Sequence, residues 1–417
     1  MDYKKQAFYN TIGNLVYMMS LWLISSVLTV RISGFEAAGI FSIAMSVGNI
    51  FYYIAVYGMR SFQASDSLYQ YTPKDYIVIR RITISFALAA LLVYLAIVSY
   101  AADITIAILL YTLYKFFEAY SDVFFGELQR VGHLEICGIS MSLKGIISTA
   151  VFCIALYLFG SLNSALLAMV AVAAFFLLAY DIRGYRKYQN EIGNKPVTSL
   201  TGLLKAGFSM LLTTVFPIIV TAIPRLALER YCGTEALGIY SSIATPTVLI
   251  TTLVPNILAP FMTLFGVCFH QKEYHRLLKM LGLALLSTAA LGLIACVCAY
   301  FLGDFVMGLL FGQEILPHMY LFIPLILATT VYALSMAANS VLISIRQPLW
   351  LTGCSAAALI TSLIISDPLV LRMGEMGTVW AFGVPFFVQL VLQVGYLIVK
   401  LGFKLPKQDS PSRKRSI

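Results

Sequence analysis

The stretches "RISGFEAAGIFS" (residues 31–42) and "RYCGTEALGIYS" (residues 230–241) are two copies of one motif. Seven of the twelve positions are identical, and the offset between the copies is a constant 199 residues. In a chain of 417 residues, the second copy therefore stands in the second half where the first copy stands in the first half. The repetition predicts an internal duplication, with two halves of similar architecture.

The composition indicates that both halves lie in a membrane. Hydrophobic residues make up 60% of the chain and charged residues only 11%, whereas soluble domains carry about 25% charged residues. A helix of roughly 20 apolar residues crosses a bilayer and satisfies its own backbone hydrogen bonds. We therefore predict an all-α polytopic membrane protein with about 12 transmembrane helices. The predicted spans lie near 8–30, 36–58, 82–101, 104–125, 136–159, 162–180, 203–226, 236–267, 278–301, 318–344, 350–367 and 377–400.

The basic residues predict which side of the membrane each loop occupies. With twelve spans, 22 of the 28 Lys and Arg residues fall on the side that holds both termini. Cytoplasmic loops carry the excess of positive charge in membrane proteins. Both termini are therefore predicted to be cytoplasmic, and both copies of the repeat lie in exterior turns.

The duplication also predicts how the two halves are related. Because each half has an even number of spans, both halves insert in the same orientation. We therefore expect two six-helix lobes related by a pseudo-twofold axis along the membrane normal. The predicted boundaries are 1–181 for the N-terminal lobe, 182–202 for a cytoplasmic linker, 203–402 for the C-terminal lobe and 403–417 for a basic cytoplasmic tail.

The repeated turn has a structural explanation at its Gly and Glu positions. Gly34 and Gly233 allow a backbone reversal that a Cβ atom would hinder. Glu36 and Glu235 then fall in the first turn of the next helix, where the helix dipole favours a negative charge. A role in binding cargo is the alternative for these four residues.

Charged groups within or beside the predicted spans point to a binding site, because charge inside a bilayer is costly. The cations lie at different depths and would line a route across the membrane if they faced one cavity. They are Arg60 and Lys144 toward the cytoplasm, Lys115 near the middle, and Arg31, Arg225 and Arg230 at the exterior edge. Such a route suits an anion, because Arg binds phosphate in a bidentate way and Lys acts as a point charge.

Some of these cations have an alternative explanation in local salt bridges. Lys115 and Glu118 are three residues apart, and Arg225 and Glu229 are four apart, so each pair can form within one helix. Arg60 and Lys144 have no carboxylate at such a spacing. Asn49 and Tyr53 lie on the polar face of the second span, where they could meet uncharged polar groups of a cargo.

Prolines are concentrated in the seventh and eighth predicted spans. Proline inside a helix removes a hydrogen bond and bends the helix. These spans are therefore expected to be bent, either as gating elements or as static kinks. The prolines are Pro217, Pro224, Pro246, Pro255 and Pro260, whereas the first half has only Pro73 before the linker, in a predicted loop.

The sequence shows no pattern typical of an enzyme or of a metal site. It contains no phosphate-binding loop, no HExxH and no GxSxG, and its four His residues lack metal-ligand spacing. The seven Cys residues are scattered, mostly within apolar runs. We therefore expect no catalytic residues, no cofactor, no metal and no nucleic-acid partner.

Four short stretches resemble a known family. They are "GFEAAGIFSIA" at 34–44, "YGMRSFQASD" at 57–66, "LQRVGHLE" at 128–135 and "LLFGQEI" at 309–315. They are similar to Wzx-type polysaccharide flippases, including those for O-antigen and capsule. These flippases belong to the multidrug/oligosaccharidyl-lipid/polysaccharide (MOP) exporter superfamily.

The resemblance implies a V-shaped, two-lobe transporter with a central cavity and alternating access. Its implied cargo is an undecaprenyl-diphosphate-linked oligosaccharide, moved across the bacterial cytoplasmic membrane, with the cations meeting the diphosphate. Coupling to a proton or sodium gradient is implied, with Asp66, Glu118 and Asp122 as candidate residues. The implied partners are membrane lipids and the polysaccharide polymerase and glycosyltransferases of the same pathway.

Two alternatives remain open from the sequence. The first is a multidrug exporter of the same superfamily, for which a more acidic cavity would be expected because its drugs are cationic. The second is a non-transporting scaffold of a glycan-assembly complex, for which the charged residues of the spans would be dispensable.

Overall fold

The computed structural model describes residues 3–60, 63, 71–188, 200–258 and 261–402. In these ranges every regular element is a helix, as predicted. The α-helices are α1 (Tyr3–Trp22), α2 (Thr29–Val56), α3 (Pro73–Ile97), α4 (Ala102–Arg130), α5 (Leu134–Phe159), α6 (Leu162–Phe176), α7 (Ile182–Tyr188), α8 (Leu200–Ala244), α9 (Val248–Leu258), α10 (Met262–His270), α11 (Tyr274–Phe311), α12 (Phe322–Ser344) and α13 (Pro348–Gly402). Two π-helical segments, Leu23–Leu28 and Leu177–Asp181, and two 3₁₀ segments, Thr245–Thr247 and Gln313–Leu321, connect some of them.

Eight helical runs in the described residues are long and apolar enough to cross a membrane, so the chain is a multi-pass membrane protein. The first run, Phe8–Val56, has 49 residues. A straight helix of that length would measure about 74 Å, more than twice the roughly 30 Å of a hydrocarbon core. Non-helical glycines interrupt this run at Gly34 and two other long runs at Gly233 and Gly374. The count of twelve spans stays a prediction.

The glycines of the repeated turn have the backbone conformation that the sequence predicted. Gly34 has φ of 82° and Gly233 has φ of 89°, in the region that residues with a Cβ rarely adopt. The helix resumes directly after each glycine, so Glu36 and Glu235 stand in its first turn. The two copies of the motif therefore build the same corner in both lobes.

The two corners meet each other at the face of the molecule that the charge distribution predicts to be exterior. A Cβ atom on Gly39 would overlap the carbonyl oxygen of Thr234. A Cβ atom on Gly238 would in turn overlap the carbonyl oxygen of Phe35. Since Phe35 and Thr234 are 199 residues apart, as are Gly39 and Gly238, the contact is symmetric. This reciprocal contact is what the predicted pseudo-twofold axis requires.

The third helix begins earlier than predicted, and this moves an arginine into the protein. Helix α3 starts at Pro73, rather than near residue 82, with a capping box between Thr72 and Asp75. Pro73 is therefore a helix-starting residue and not part of a loop, because proline fits the first turn of a helix. Arg80, which was expected in the same loop, lies inside α3 and is buried.

The predicted linker, 182–202, lies only partly in the described residues, and its last residues belong to α8, which begins at Leu200. Helix α7 continues past residue 181 to Tyr188, and the rest of the predicted linker up to residue 199 is not described. The predicted tail, 403–417, is also outside the described residues.

Within the N-terminal lobe, Phe41 stacks on Phe152 with ring centres 5.9 Å apart, which joins α2 to α5.

Candidate functional site

A cavity of about 210 Å³ lies between the two lobes. Its apolar wall comes largely from α1, including Met18 and Trp22, and from α2 and α9. The polar groups on its wall are Ser25, Ser42, Arg225, Ser241 and Thr245. A cavity with one cation, several hydroxyl groups and an apolar surround can hold an anionic group attached to an apolar molecule.

The polar residues of this cavity lie at one distance from the repeated corners. Ser42 and Ser241 each lie eight residues after the corner glycine, and Arg225 lies eight residues before Gly233. At 1.5 Å per residue, all three side chains stand about 12 Å from the corners. The cavity is therefore separated from the predicted exterior face by the contact between the two corners.

Arg225 is the cation of this cavity, and its charge has no protein partner among the described residues. It makes no hydrogen bond and no ion pair there. The salt bridge with Glu229 that the spacing allowed is thus not formed. Arg225 is half-buried, and a partly desolvated charge without a partner is costly. This guanidinium group is therefore suited to bind an anion that enters the cavity.

Lys115 has a partner within its own helix, as one of the alternatives predicted. Its Nζ lies 2.7 Å from Glu118 Oε2, and both side chains are largely buried. Glu118 also accepts a hydrogen bond from the hydroxyl of Tyr17 on α1. The Lys115 ammonium is further surrounded by four aromatic rings, at 5.1 to 5.9 Å from their centres. These rings belong to Tyr17, Tyr52, Tyr111 and Tyr114.

Lys144 has a partner that spacing along one helix did not reveal. Its Nζ lies 3.4 Å from Asp181 Oδ2, and both side chains are almost fully buried. Asp181 also accepts hydrogen bonds from Ser121 at 2.6 Å and Ser140 at 2.5 Å. The sequence signal for Asp181 is a carboxylate at the end of the apolar run of α6, next to the predicted linker.

Arg60 shares a carboxylate with the buried Arg80. Asp122 Oδ1 lies 3.1 Å from Arg60 Nη1, and Asp122 Oδ2 lies 2.9 Å from Arg80 Nη2. Arg80 also donates to the carbonyl oxygen of Ala55 at 2.9 Å. Burial disfavours the charge of Arg60, but the neighbouring Asp122 outweighs it and raises the pKa of this guanidinium group above its ordinary value. These contacts join α2, α3 and α4.

The two arginines that begin the repeated motif are used differently. Arg31 donates from Nε to the carbonyl oxygen of Leu310 at 2.8 Å and from Nη2 to that of Leu309. It thus connects the N-terminal corner to the end of α11 in the C-terminal half. Arg230 is exposed and lies 3.7 Å from Asp367 of its own half. Neither arginine lines the cavity with Arg225.

The remaining candidates lie in several places. Asn49 accepts a hydrogen bond from the Tyr111 hydroxyl at 3.2 Å. Tyr53 is half-buried, with its ring centre 5.2 Å from that of Tyr52. Asp66, a candidate for ion coupling, lies outside the described residues.

The prolines lie at different points of the predicted seventh and eighth spans. Pro217 and Pro224 are inside α8, and Pro255 is inside α9. Pro246 lies in the 3₁₀ segment Thr245–Thr247, which separates these two helices. That segment begins with a residue of the cavity wall, Thr245. Pro246 is thus adjacent to a cavity residue, as is Pro224, which precedes Arg225.

Comparison with known proteins places this geometry in context. No family model matches the chain. The capsular polysaccharide biosynthesis protein CapF of Staphylococcus aureus is 26% identical over 311 residues, which are 73% of this chain and 76% of that protein.

Solved structures share the fold at low sequence identity. The lipid II flippase MurJ, in an inward closed conformation, gives a TM-score of 0.73 at 13% identity, over 95% of this chain and 90% of that chain. An inward-facing multidrug resistance MATE family transporter of the MOP superfamily gives 0.71 at 14% identity, over 95% of both chains. The predicted resemblance to polysaccharide-biosynthesis proteins of the MOP superfamily is therefore confirmed, and the chain has the two-lobe fold of that superfamily.

Proposed function

We propose that this protein is a flippase for undecaprenyl-diphosphate-linked oligosaccharide repeat units. It moves them from the cytoplasmic to the exterior leaflet of the bacterial cytoplasmic membrane by alternating access, without catalytic chemistry. Both termini are cytoplasmic in this proposal, as the basic residues predict. The cargo then passes to the polymerase of a surface polysaccharide.

The observation that carries the proposal is the unpaired Arg225 in the cavity between the lobes. Most of the other candidate cations have a carboxylate or carbonyl partner, so they are already neutralised or engaged. Arg225 is free to form charge-assisted hydrogen bonds with a diphosphate. The capsular polysaccharide relative and the lipid II flippase of the same fold support a lipid-linked cargo.

The direct test is binding of undecaprenyl diphosphate to the full chain in lipid nanodiscs. We expect Arg225→Gln to weaken binding at least about tenfold, since a hydrogen bond to a charged group contributes about 1.5–3 kcal/mol. Arg230→Gln is the matched control, because Arg230 is exposed and outside the cavity. Equal binding by the wild type and Arg225→Gln would refute the assignment of this site.

A multidrug exporter is the second candidate, because a MATE transporter shares the fold with a TM-score of 0.71. A positively charged cavity opposes the binding of cationic drugs, which makes this candidate the weaker one. The two functions separate in vesicles that contain the protein. Transport of ethidium, together with no translocation of a lipid-linked oligosaccharide, would establish the exporter instead.

A further inference from the structure

The wall of the cavity includes a hydrogen bond between two equivalent serines. The Oγ atoms of Ser42 and Ser241 are 2.6 Å apart, although the residues are 199 positions apart in the chain. Both serines are the last residues of the repeated motif, "GIFS" and "GIYS". The bond therefore spans the two lobes across the pseudo-twofold axis.

These serines lie at about the same depth as Arg225, next to the contact of the two corners. Ser42 and Ser241 line the same cavity as Arg225. Gly39 and Gly238, whose backbones meet, lie three residues before them on the same helices. One helical turn therefore separates the serine pair from the backbone contact, and α2 cannot move away from α8 there while the serines remain bonded.

Hydroxyl chemistry makes this bond sensitive to an anion. A serine hydroxyl has one hydrogen to donate, and a hydrogen bond to an ionised oxygen is about twice as strong as one between neutral groups. A phosphate oxygen held by Arg225 would compete for the hydroxyl hydrogens of both serines. In their mutual bond one serine donates and the other keeps its hydrogen, so the anion can accept from both hydroxyls only when that bond breaks.

We propose that Ser42 and Ser241 form a latch that the anionic group of the cargo opens. The diphosphate at Arg225 accepts hydrogen bonds from both hydroxyls, their mutual bond breaks, and the corners at Gly39 and Gly238 are released. This inference rests on the proposed function, because it takes the diphosphate as the anion. It assigns the repeated serines a role in coupling cargo binding to exterior opening, since a ligand favours the conformation in which it makes more bonds.

The chain offers a symmetric pair of reporter positions for the test. Ile32 and Tyr231 are equivalent residues of the two corners, and both side chains are exposed. Spin labels on Ile32→Cys and Tyr231→Cys would report the distance between the corners by pulsed electron resonance. The background is the full chain in nanodiscs with its seven native cysteines replaced by alanine. Inorganic diphosphate is the added ligand, and its binding is measured separately.

In this background we expect diphosphate to increase the fraction with separated corners at least about threefold. In Ser42→Ala/Ser241→Ala this fraction should already be raised without ligand and change less than twofold on addition. The matched control is Ser242→Ala. Ser242 is buried beside the latch but donates to the Gly238 carbonyl of its own helix at 2.8 Å. This control should respond to diphosphate like the background.

The outcomes distinguish failure of the latch alone from failure of both the latch and the proposed function. If the ligand-free fraction of the double variant equals that of the background, the serine pair is not a latch, whether or not the variant binds diphosphate. If the double variant responds to diphosphate like the background, the latch is also refuted, and the flippase proposal stands. If the background neither binds nor responds to diphosphate, both proposals fall.

Discussion

Gly39 and Gly238 hold equivalent positions in the two copies of the repeat, and each lies against a backbone carbonyl of the other copy. Small residues let membrane helices approach closely and gain packing contacts along their backbones. The two copies of the motif therefore pack against each other. This relationship explains why Gly and Ser recur together at the end of both stretches, "GIFS" and "GIYS".

Gly39→Ala is expected to favour separated corners, because its Cβ would overlap the Thr234 carbonyl oxygen. Overpacking of this kind costs about 1–3 kcal/mol, which is a shift of roughly five- to 150-fold in the closed-to-open ratio. The same corner-to-corner distance measurement would report the shift. Gly282→Ala is the control, since a Cβ there meets no atom within 4 Å. An unchanged distance distribution in Gly39→Ala would contradict the packing explanation.

Arg31 and Arg230 are expected to differ although they are equivalent in the repeat. Arg31 bonds to carbonyl oxygens of the other half, at Leu309 and Leu310, whereas Arg230 pairs loosely with Asp367 of its own half. We expect Arg31→Gln to lower the free energy of corner separation by about 1 kcal/mol or more, since it loses charge-assisted hydrogen bonds. The fraction of molecules with separated corners should therefore increase. Arg230→Gln should leave it unchanged, because exposed ion pairs contribute little. Equal effects of the two substitutions would show that the link from Arg31 does not hold the lobes together.

Asp181→Asn is expected to destabilise the N-terminal lobe, because it leaves the buried ammonium group of Lys144 without a carboxylate. Removal of one partner of a buried pair costs about 3–5 kcal/mol. In Lys144→Met/Asp181→Asn no uncompensated charge remains, so much of that loss should be recovered. Thermal unfolding of the purified variants would measure both. A double variant no more stable than Asp181→Asn would mean that the hydrogen bonds of Asp181 to serines matter more than its charge.

The pair of Lys115 and Glu118 provides a test of ion coupling, which remains a proposal. We expect Lys115→Met/Glu118→Gln to remain folded, because both charges are removed together. We also expect translocation by this variant to lose its response to an imposed proton or sodium gradient. Lys144→Met/Asp181→Asn is the comparison variant, because it removes a second, more deeply buried pair of the same lobe and leaves Glu118 in place. If the first variant still responds to the gradient, Glu118 is not the coupling group.

The local part of the structure could be predicted well from the sequence. Helices, the glycine corners and the pairing of Lys115 with Glu118 follow from hydropathy and from spacing along one helix. The start of α3 at Pro73 could not be found from hydropathy, because the charged residues around Arg80 hide the first turns of this helix. The burial of Arg80 depends on Asp122, which is contributed by another helix.

The sequence by itself determined that the chain is helical, lies in a membrane and is duplicated. Hydropathy, charge bias and repetition depend on the order of residues in the chain and not on contacts between distant residues. It also contained all the candidate cations. Only the tertiary structure decided which of them are neutralised, because Asp122 and Asp181 reach Arg60 and Lys144 from other helices. Only the tertiary structure shows that Arg225 stays unpaired in the cavity and that Ser42 and Ser241 meet. Their contact exists only because two distant segments meet across a twofold axis.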